Sequence, residues 1–436
     1  MSIELLTLIM FGGLILLLVL GLPISFAMGG ITVVVTLLLW GTKGLFKVVF
    51  YTYGLMMLSP MICIPCFIFM GLMLERSGIA DELFEAVHRW FAAVRGGLAM
   101  ATTVICAIFA AMTGVAAAAA TTMGLIAVPA MLKRRYDKSL ALGTVAGPST
   151  LGILIPPSIT MVILAVTIQL SVGKLFMAGI VPGILLTLLF CAYIGIRGLL
   201  QPQLCPALEE RFTLREKMVL TRALILPIFI ILCVLGSIFL GLATPTEAAA
   251  MGALGTIIAV AVRRRLTWKV IQEAALMTFK ITGMILWIGF AAISFSNTWG
   301  VAGGSEFFSG LLLGLEVNRW LVLIVIMLVV FVMGMFIADF PIIWIIAPIA
   351  YPIIEALGFD LVWFGLLFIM NIQMALVTPP FGFVLFYLRG VAPPGVSMGD
   401  IYRSIFPFLG IMILGMALVM IFPQLALWLP GMMIRR

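Results

Sequence analysis

Two short stretches carry oxygen and nitrogen groups where an apolar segment gains nothing from them. In the first, AGPSTLGILIPPSIT, Ser149, Thr150 and Ser158 stand among Gly147, Gly152, Pro156 and Pro157 within an otherwise apolar run from Ser139 to Leu170. In the second, MNIQMALVTPPF, Asn371, Gln373 and Thr378 precede Pro379 and Pro380. Proline removes a backbone donor and unseats a carbonyl. In hydrocarbon each freed backbone group costs several kcal/mol unless protein, water or a ligand satisfies it. Carbonyls set free beside Ser, Thr and Asn oxygens suit a hard monovalent cation such as Na⁺, and free N–H groups at a half-helix start suit a carboxylate. Gly147, Ser149, Thr150, Gly152, Asn371, Gln373 and Thr378 supply these groups. Asp339, in GMFIADFPIIW, adds an ionisable group inside an apolar block, and an intramembrane carboxylate reads as functional by default. Proton carriage, attraction of Na⁺ and gating all fit it. Glu247, in TPTEAAA, sits where a carboxylate caps a helix start.

The elements that position these groups are membrane helices. Mean hydropathy is +1.30, 64% of residues are hydrophobic and 10% are charged, against about 25% charged in soluble domains. Apolar blocks of roughly 20 residues, the length that crosses hydrocarbon as a helix, recur along the whole chain. The first of them begins with Glu4 rather than a basic region, so it reads as a retained helix and not as a cleaved leader.

The chain repeats itself at an offset of about 223 residues. Pro156-Pro157 recurs as Pro379-Pro380, Pro129 as Pro352, and Met28-Gly29 as Met251-Gly252. Gly78-Ile79-Ala80 matches Gly300-Val301-Ala302, and SVGKLF from Ser171 resembles SMGDIY from Ser397. In the first half, crossings are predicted near 5–21, 24–41, 53–75, 139–170 and 175–196, and 98–131 is a re-entrant helical hairpin broken at Met112-Thr113-Gly114. Five crossings place the second copy upside down. The fold class is therefore an all-α polytopic membrane protein of two inverted-topology repeats, each with a re-entrant hairpin and a broken crossing. The first repeat spans 1–197 and a cytoplasmic linker spans 198–222. The second repeat spans 223–436, with its hairpin at 319–355 and its broken helix at 360–389. The hairpin tips fall at Met112–Ala116 and Gly334–Pro341, and the breaks at Ala146–Ser158 and Met370–Phe381. With the N-terminus outside, all Lys and Arg fall inside except Lys43, Lys47, Lys174, Arg319, Arg435 and Arg436, as the positive-inside rule requires.

Other classes are excluded or disfavoured on composition. The net charge of +8 sits in short clusters such as KRRYDK and RRRLTWK, which fit loops facing anionic headgroups rather than nucleic acid. The six cysteines lie mostly in apolar blocks, so Cys63-Ile64-Pro65-Cys66 reads as packing rather than redox chemistry. The single histidine, His88, rules out a histidine metal cluster; it lies in an amphipathic stretch that reads as an interfacial helix, where it is solvated or packed. With no acid pair and no nucleotide motif, an enzyme is excluded, and no organic cofactor is expected. Inverted repeats with re-entrant hairpins favour alternating access over a channel.

The segments GTVAGPSTLGILIPPSITMVI, GLATPTEAAAMGA, GMFIADFPIIW and NIQMALVTPPFGFVLF resemble the large membrane subunit of tripartite ATP-independent periplasmic (TRAP) transporters, with the likeness running from about Leu5 to Pro430. The resemblance implies a large permease subunit that imports small organic acids with Na⁺ by an elevator-type movement in the bacterial inner membrane. It also implies two partners, a small four-helix membrane subunit and a periplasmic substrate-binding protein. The substrate residues it implies are Ser149, Thr150, Pro157, Ser158, Asn371, Gln373 and Asp339. The Na⁺ ligands it implies are Thr113, Gly114, Gly147, Ser149, Gly152, Gly334, Met374 and Thr378. The chain departs from the pattern at Gly114-Val115-Ala116, where many members carry serines, so tip oxygens fall to Thr113, Thr121 or backbone carbonyls. No arginine precedes the second hairpin in NTWGVAGGSEF, which argues against sialic acid. The FGFVLFYLRGVAPP segment leans towards 2-oxo acids and other monocarboxylates. The alternative is a single-component ion-coupled anion transporter of related architecture that works without a binding protein.

Overall fold

A computed structural model describes residues 2–206, 213–313 and 318–433, and among these every regular element is helical. Among the described residues, eight helices are long and apolar enough to cross a membrane. The part of the predicted linker at 207–212, and Arg435 and Arg436, lie outside the described residues.

Local chemistry sets where several of these helices start and stop. Gly21, at φ +85°, and Pro23 end the first helix, Ile3–Val19, because a left-handed residue and a missing N–H cannot continue it. Asp137 and Asp360 cap the two broken crossings: Asp137 Oδ1 accepts from Leu140 N, and Asp360 Oδ1 from Val362 N and Trp363 N. Glu247 takes the predicted cap role in a reciprocal box with Thr244, accepting from the Thr244 N–H at 2.7 Å while the Thr244 hydroxyl oxygen accepts from Glu247 N.

The helix order of the first half recurs in the second. Among the described residues each half carries three helices, a short helix (Ile79–Phe91 or Gly304–Leu313), a hairpin, a broken crossing and a long closing helix (Val172–Leu200 or Met398–Ile421), the last followed by the short Gln424–Met432. The hairpins are Gly97–Thr113 with Ala116–Lys133, and Arg319–Gly334 with Asp339–Ala356. The broken crossings are Lys138–Ser149 with Ile159–Thr167, and Leu361–Ala375 with Phe383–Val391. The halves interlock: the return helix of each hairpin packs on the latter segment of the other half's broken crossing. The leading segment of each broken crossing likewise packs on the closing helix of the other half.

Burial separates two layers. Every residue from Leu140 to Ser149 and from Trp363 to Ala375 is buried, so these crossings touch protein on all sides. The long helices Ile24–Met56 and Trp268–Val301 pack on each other and leave Phe26, Phe50, Phe279 and Trp287 exposed, the pattern of a lipid-facing frame.

Several sequence expectations are corrected. The predicted crossing at 53–75 starts later, at Ser59, because the preceding helix runs from Ile24 to Met56 with non-helical backbone at Gly41 (φ 62°, ψ −161°). The second hairpin tip ends at Ala338 rather than Pro341, since proline fits the first turn of a helix, where the N–H has no partner to lose. Two arginines of RRRLTWK do not simply face headgroups: Arg263 and Arg265 both pair with Glu82 on the short helix Ile79–Phe91, Arg263 at 2.6 Å. Of the two settings expected for His88, solvated or packed, the structure has the packed one: it is 2% exposed and stacked on Phe84. Tyr136, in the turn before the first broken crossing, is buried, and burial pushes its hydroxyl up to about 12, so it stays neutral.

Candidate functional site

The first break is shorter than its sequence suggests. Helix continues through Gly147 to Ser149, a tight turn covers Thr150–Ile153, and the chain is irregular only from Leu154 to Ser158. Hydroxyls hold the last turn together across Pro148: Ser149 Oγ donates to the Ala146 carbonyl at 3.0 Å and Thr150 Oγ1 to the Gly147 carbonyl at 2.6 Å. Ser158 then starts the next segment, accepting from Met161 N and donating to the Ile153 carbonyl at 2.8 Å. The second break likewise begins only after Ala375, so Asn371, Gln373 and Met374 are helical rather than unwound. Thr378 Oγ1 donates back to the Met374 carbonyl at 2.7 Å. Both prolyl pairs, Pro156-Pro157 and Pro379-Pro380, are joined by cis peptide bonds.

The first hairpin tip lies directly on the first break. Gly114 is left-handed at φ +65°, and a Cβ there would stand 2.5 Å from the Pro157 carbonyl oxygen. From the other side, a Cβ on Gly152 would stand 2.9 Å from Ala116 N. Backbone of the tip and backbone of the break therefore touch without an intervening side chain. Thr113 Oγ1 donates to the Phe109 carbonyl at 3.0 Å, so its hydrogen is spent on its own helix. Thr121 is no tip residue: it sits a full turn into the return helix and donates to Ala117 and Ala118 carbonyls.

The second tip brings its carboxylate onto the first half. Thr160 Oγ1, in the first turn after Ser158, donates to Asp339 Oδ2 at 2.9 Å. Gly334 closes this hairpin against the second crossing, where a Cβ would meet the Ala375 Cβ at 2.5 Å. Asn371 faces elsewhere, its Nδ2 donating to the Met327 carbonyl of the same hairpin. Thr160 escaped the sequence reading; the sign was a second hydroxyl two residues beyond Ser158 in PPSIT.

The two broken crossings meet at one polar contact. Gln373 Nε2 donates to Thr150 Oγ1 at 3.1 Å, and the two residues stand 223 positions apart, the spacing of the sequence repeat. Gln373 is 1% exposed and Thr150 fully buried. Gln373 Oε1 is buried and accepts no hydrogen bond among the described residues. Of the predicted residues, then, Thr113, Gly114, Gly152 and Pro157 come together at one tip and Thr150 meets Gln373 at the crossing, while Asp339 at the other tip pairs with the unpredicted Thr160. No group of three or more His, Cys, Asp or Glu among the described residues is placed to hold a metal ion. A cation at these breaks has to be held by hydroxyl, amide and carbonyl oxygens.

A cavity of about 280 Å³ opens between the lipid-facing frame and these inner elements. Ser296 and Asn297 of Trp268–Val301 line it with Leu55 and Leu58, opposite Thr167 and Gln169 after the first break and Trp344 and Pro348 of the second hairpin. The indole of Trp344 packs where Gly289 carries no side chain; a Cβ there would stand 2.8 Å from the ring. The sequence hint was the polar run SFSNT in an apolar helix.

Comparison with known proteins places this geometry. The family model described as the tripartite ATP-independent periplasmic transporter, DctM component, matches residues 11–425. The chain is 33% identical over 85% of its length to the C4-dicarboxylate TRAP transporter large permease protein of Pseudomonas aeruginosa, 86% of which is covered. It is 30% identical over 86% of its length to the ectoine TRAP transporter large permease protein of Halomonas elongata, 87% of which is covered. The isethionate TRAP transporter permease protein DctMQ of Oleidesulfovibrio alaskensis is 29% identical over 97% of this chain, which spans 66% of that relative. In fold it resembles the solved YdaH transporter of Alcanivorax borkumensis, with a TM-score of 0.61 at 15% identity, covering 93% of this chain and 97% of the other. The chain belongs to the large membrane component family, DctM, of the tripartite ATP-independent periplasmic transporters.

Proposed function

We propose that the chain is the large permease subunit of a Na⁺-coupled secondary transporter that imports small organic acids across the bacterial inner membrane. The observation that carries this reading is a chain of contacts: the first tip lies on the first break, the second tip's Asp339 on Thr160 just after that break, and the two broken crossings meet at the buried Gln373–Thr150 pair. Such paired discontinuities in repeated halves are where transporters hold substrate and coupling ion. Tip and break carbonyls, with Thr113, Ser149 and Thr378, form the Na⁺ sites. Asp339 and the half-helix starts at Ser158 and Phe383 face the carboxylate of the substrate and its counter-cation. The two halves lie in the membrane upside down relative to each other.

The elevator-type movement carries the hairpins and broken crossings past the frame. The buried inner crossings, the exposed long helices and the cavity between them support that division. Partners are a small membrane subunit and a periplasmic binding protein. Support for the first comes from the isethionate relative, whose name joins M and Q and whose length exceeds this chain's. C4-dicarboxylates, 2-oxo acids and other monocarboxylates are the substrates to screen, with the relatives' named substrates as the starting panel.

The test is uptake of labelled C4-dicarboxylates and 2-oxo acids by proteoliposomes under an inward Na⁺ gradient. The chain is reconstituted with its small subunit and binding protein, or alone. Na⁺-dependent uptake only by the complete set supports the reading. Robust uptake by the chain alone replaces it with a single-component anion transporter, and uptake indifferent to Na⁺ removes the coupling.

A further inference from the structure

The contact between Gln373 and Thr150 has two hydrogen-bond arrangements available, and they differ in what they leave open. In the structure, Gln373 Nε2 donates to Thr150 Oγ1, and the Thr150 hydroxyl hydrogen is spent on the Gly147 carbonyl at 2.6 Å. That carbonyl also accepts from the Thr150 backbone N–H, so both of its lone pairs are engaged. Gln373 Oε1 meanwhile stays buried without a donor. A primary amide offers an acceptor and donors on one planar group, and a hydroxyl rotates to suit its partner. Turning the amide over presents Oε1 to Thr150. The hydroxyl hydrogen then moves to Oε1, Nε2 gives up its bond to Thr150, and one lone pair of the Gly147 carbonyl is released, so the reversed state has one hydrogen bond fewer and is favoured when a cation takes that lone pair.

We propose that Gln373 and Thr150 form a two-position hydrogen-bond relay between the halves, whose reversal frees the Gly147 carbonyl to bind a monovalent cation at the first break. Gln373 is a positioning residue here: it acts through Thr150. The relay rests on the Na⁺ reading given above and adds to it a link by which the second broken crossing controls the cation site of the first. Its position favours this role. Both residues are buried where the crossings meet, and the leading segment of the second crossing packs directly on the turn that contains Thr150. Ser149 has no share in the relay, since its hydroxyl is bonded to Ala146 and meets no partner from the second half among the described contacts.

The relay makes the two partners unequal, and that is what an experiment reads. Gln373→Leu removes the acceptor needed to draw the hydroxyl away, so Thr150 stays on Gly147 and blocks the cation. Thr150→Val removes the hydroxyl, so the carbonyl is open whatever Gln373 does. The readout is thermal stabilisation of the purified full chain by Na⁺ against the same concentration of choline. Gln373→Leu is expected to raise the Na⁺ midpoint about tenfold, the size of one lost hydrogen bond. Thr150→Val is expected to leave the midpoint unchanged or lower it. The double variant should behave as Thr150→Val alone, and Thr150→Ser as wild type. Should either single variant unfold, Gln373→Met, which keeps the length of the side chain, and Thr150→Ala, which adds no new atom, carry the same contrast. Equal shifts in both single variants, or none in either, overturn the relay and leave the Na⁺ reading standing. A wild-type chain that Na⁺ stabilises no more than choline overturns the Na⁺ reading, and the relay with it.

Discussion

The two hairpin tips occupy equivalent places in their halves, yet they are built from different materials. The first is backbone against backbone: left-handed Gly114 presses on the Pro157 carbonyl, and Gly152 admits Ala116. The second turns through Ala338 in extended conformation (φ −65°, ψ 165°) and projects a carboxylate, Asp339, which Thr160 of the other half holds at 2.9 Å. Where the chain is duplicated, the shape of the hairpin is retained while its chemistry divides. One tip offers carbonyl dipoles in a space that admits no side chain. The other offers a half-buried carboxyl group that a partner 179 residues away orients.

The largest break in that comparison comes from giving both tips the same bulky residue. Gly114→Val forces a β-branched residue to positive φ and drives its Cβ into the Pro157 carbonyl, destabilising the tip by roughly 3 kcal/mol or more. Uptake by the reconstituted transporter is expected to vanish and the melting temperature to fall. Ala338→Val places the same side chain on extended backbone that accepts it, and is expected to retain uptake within about threefold, with a fall in melting temperature below half that of Gly114→Val. Equal damage from both would show that the tips are not built differently. Asp339→Asn comes next. It keeps the shape and the acceptor oxygen but removes the charge, and a charge-assisted hydrogen bond contributes about 1.5–3 kcal/mol. Na⁺-driven uptake is expected to drop roughly 10- to 100-fold, with unchanged expression and a far smaller fall in melting temperature than for Gly114→Val. Normal uptake in this variant would reduce Asp339 to a structural residue.

How far the sequence reveals such a site depends on how local each cause is. The Pro156-Pro157 and Pro379-Pro380 pairs announce the breaks because a missing N–H acts within one turn. Gly114 announces a tip because no other residue takes its backbone easily. The Asp137 and Asp360 caps, and the box of Thr244 and Glu247, are likewise written within four residues. What stays hidden is set by partners distant in the chain. Thr160 looks like any hydroxyl in a membrane helix until the second hairpin sets Asp339 against it. Gly147 and Ser149 look unwound beside Pro148, but the hydroxyls of Ser149 and Thr150 tie down the last turn and carry the helix onwards. The cavity beside Trp344 is shaped by four separate segments, and only the polar run around Asn297 hints at it.

The smallest effects sharpen the comparison by separating charge from its support. Thr160→Val deletes the donor to Asp339 and leaves the carboxylate in place, so uptake is expected to fall about 3- to 10-fold, less than for Asp339→Asn. The double variant should fall no further than Asp339→Asn, because the two residues act through one contact and such effects do not add. Additive losses in that cycle would mean that Thr160 has its own partner in the transport step. Thr378 differs from both, since its hydroxyl is bonded back to the Met374 carbonyl of its own helix. Thr378→Ala therefore removes one oxygen from the second break but no contact between the halves. A two- to threefold rise in the Na⁺ concentration for half-maximal uptake, with unchanged maximal rate, is expected, about the lower end of what one lost neutral hydrogen bond produces. A fall in maximal rate with an unchanged Na⁺ midpoint would move Thr378 from the cation site to the moving contact between tip and break.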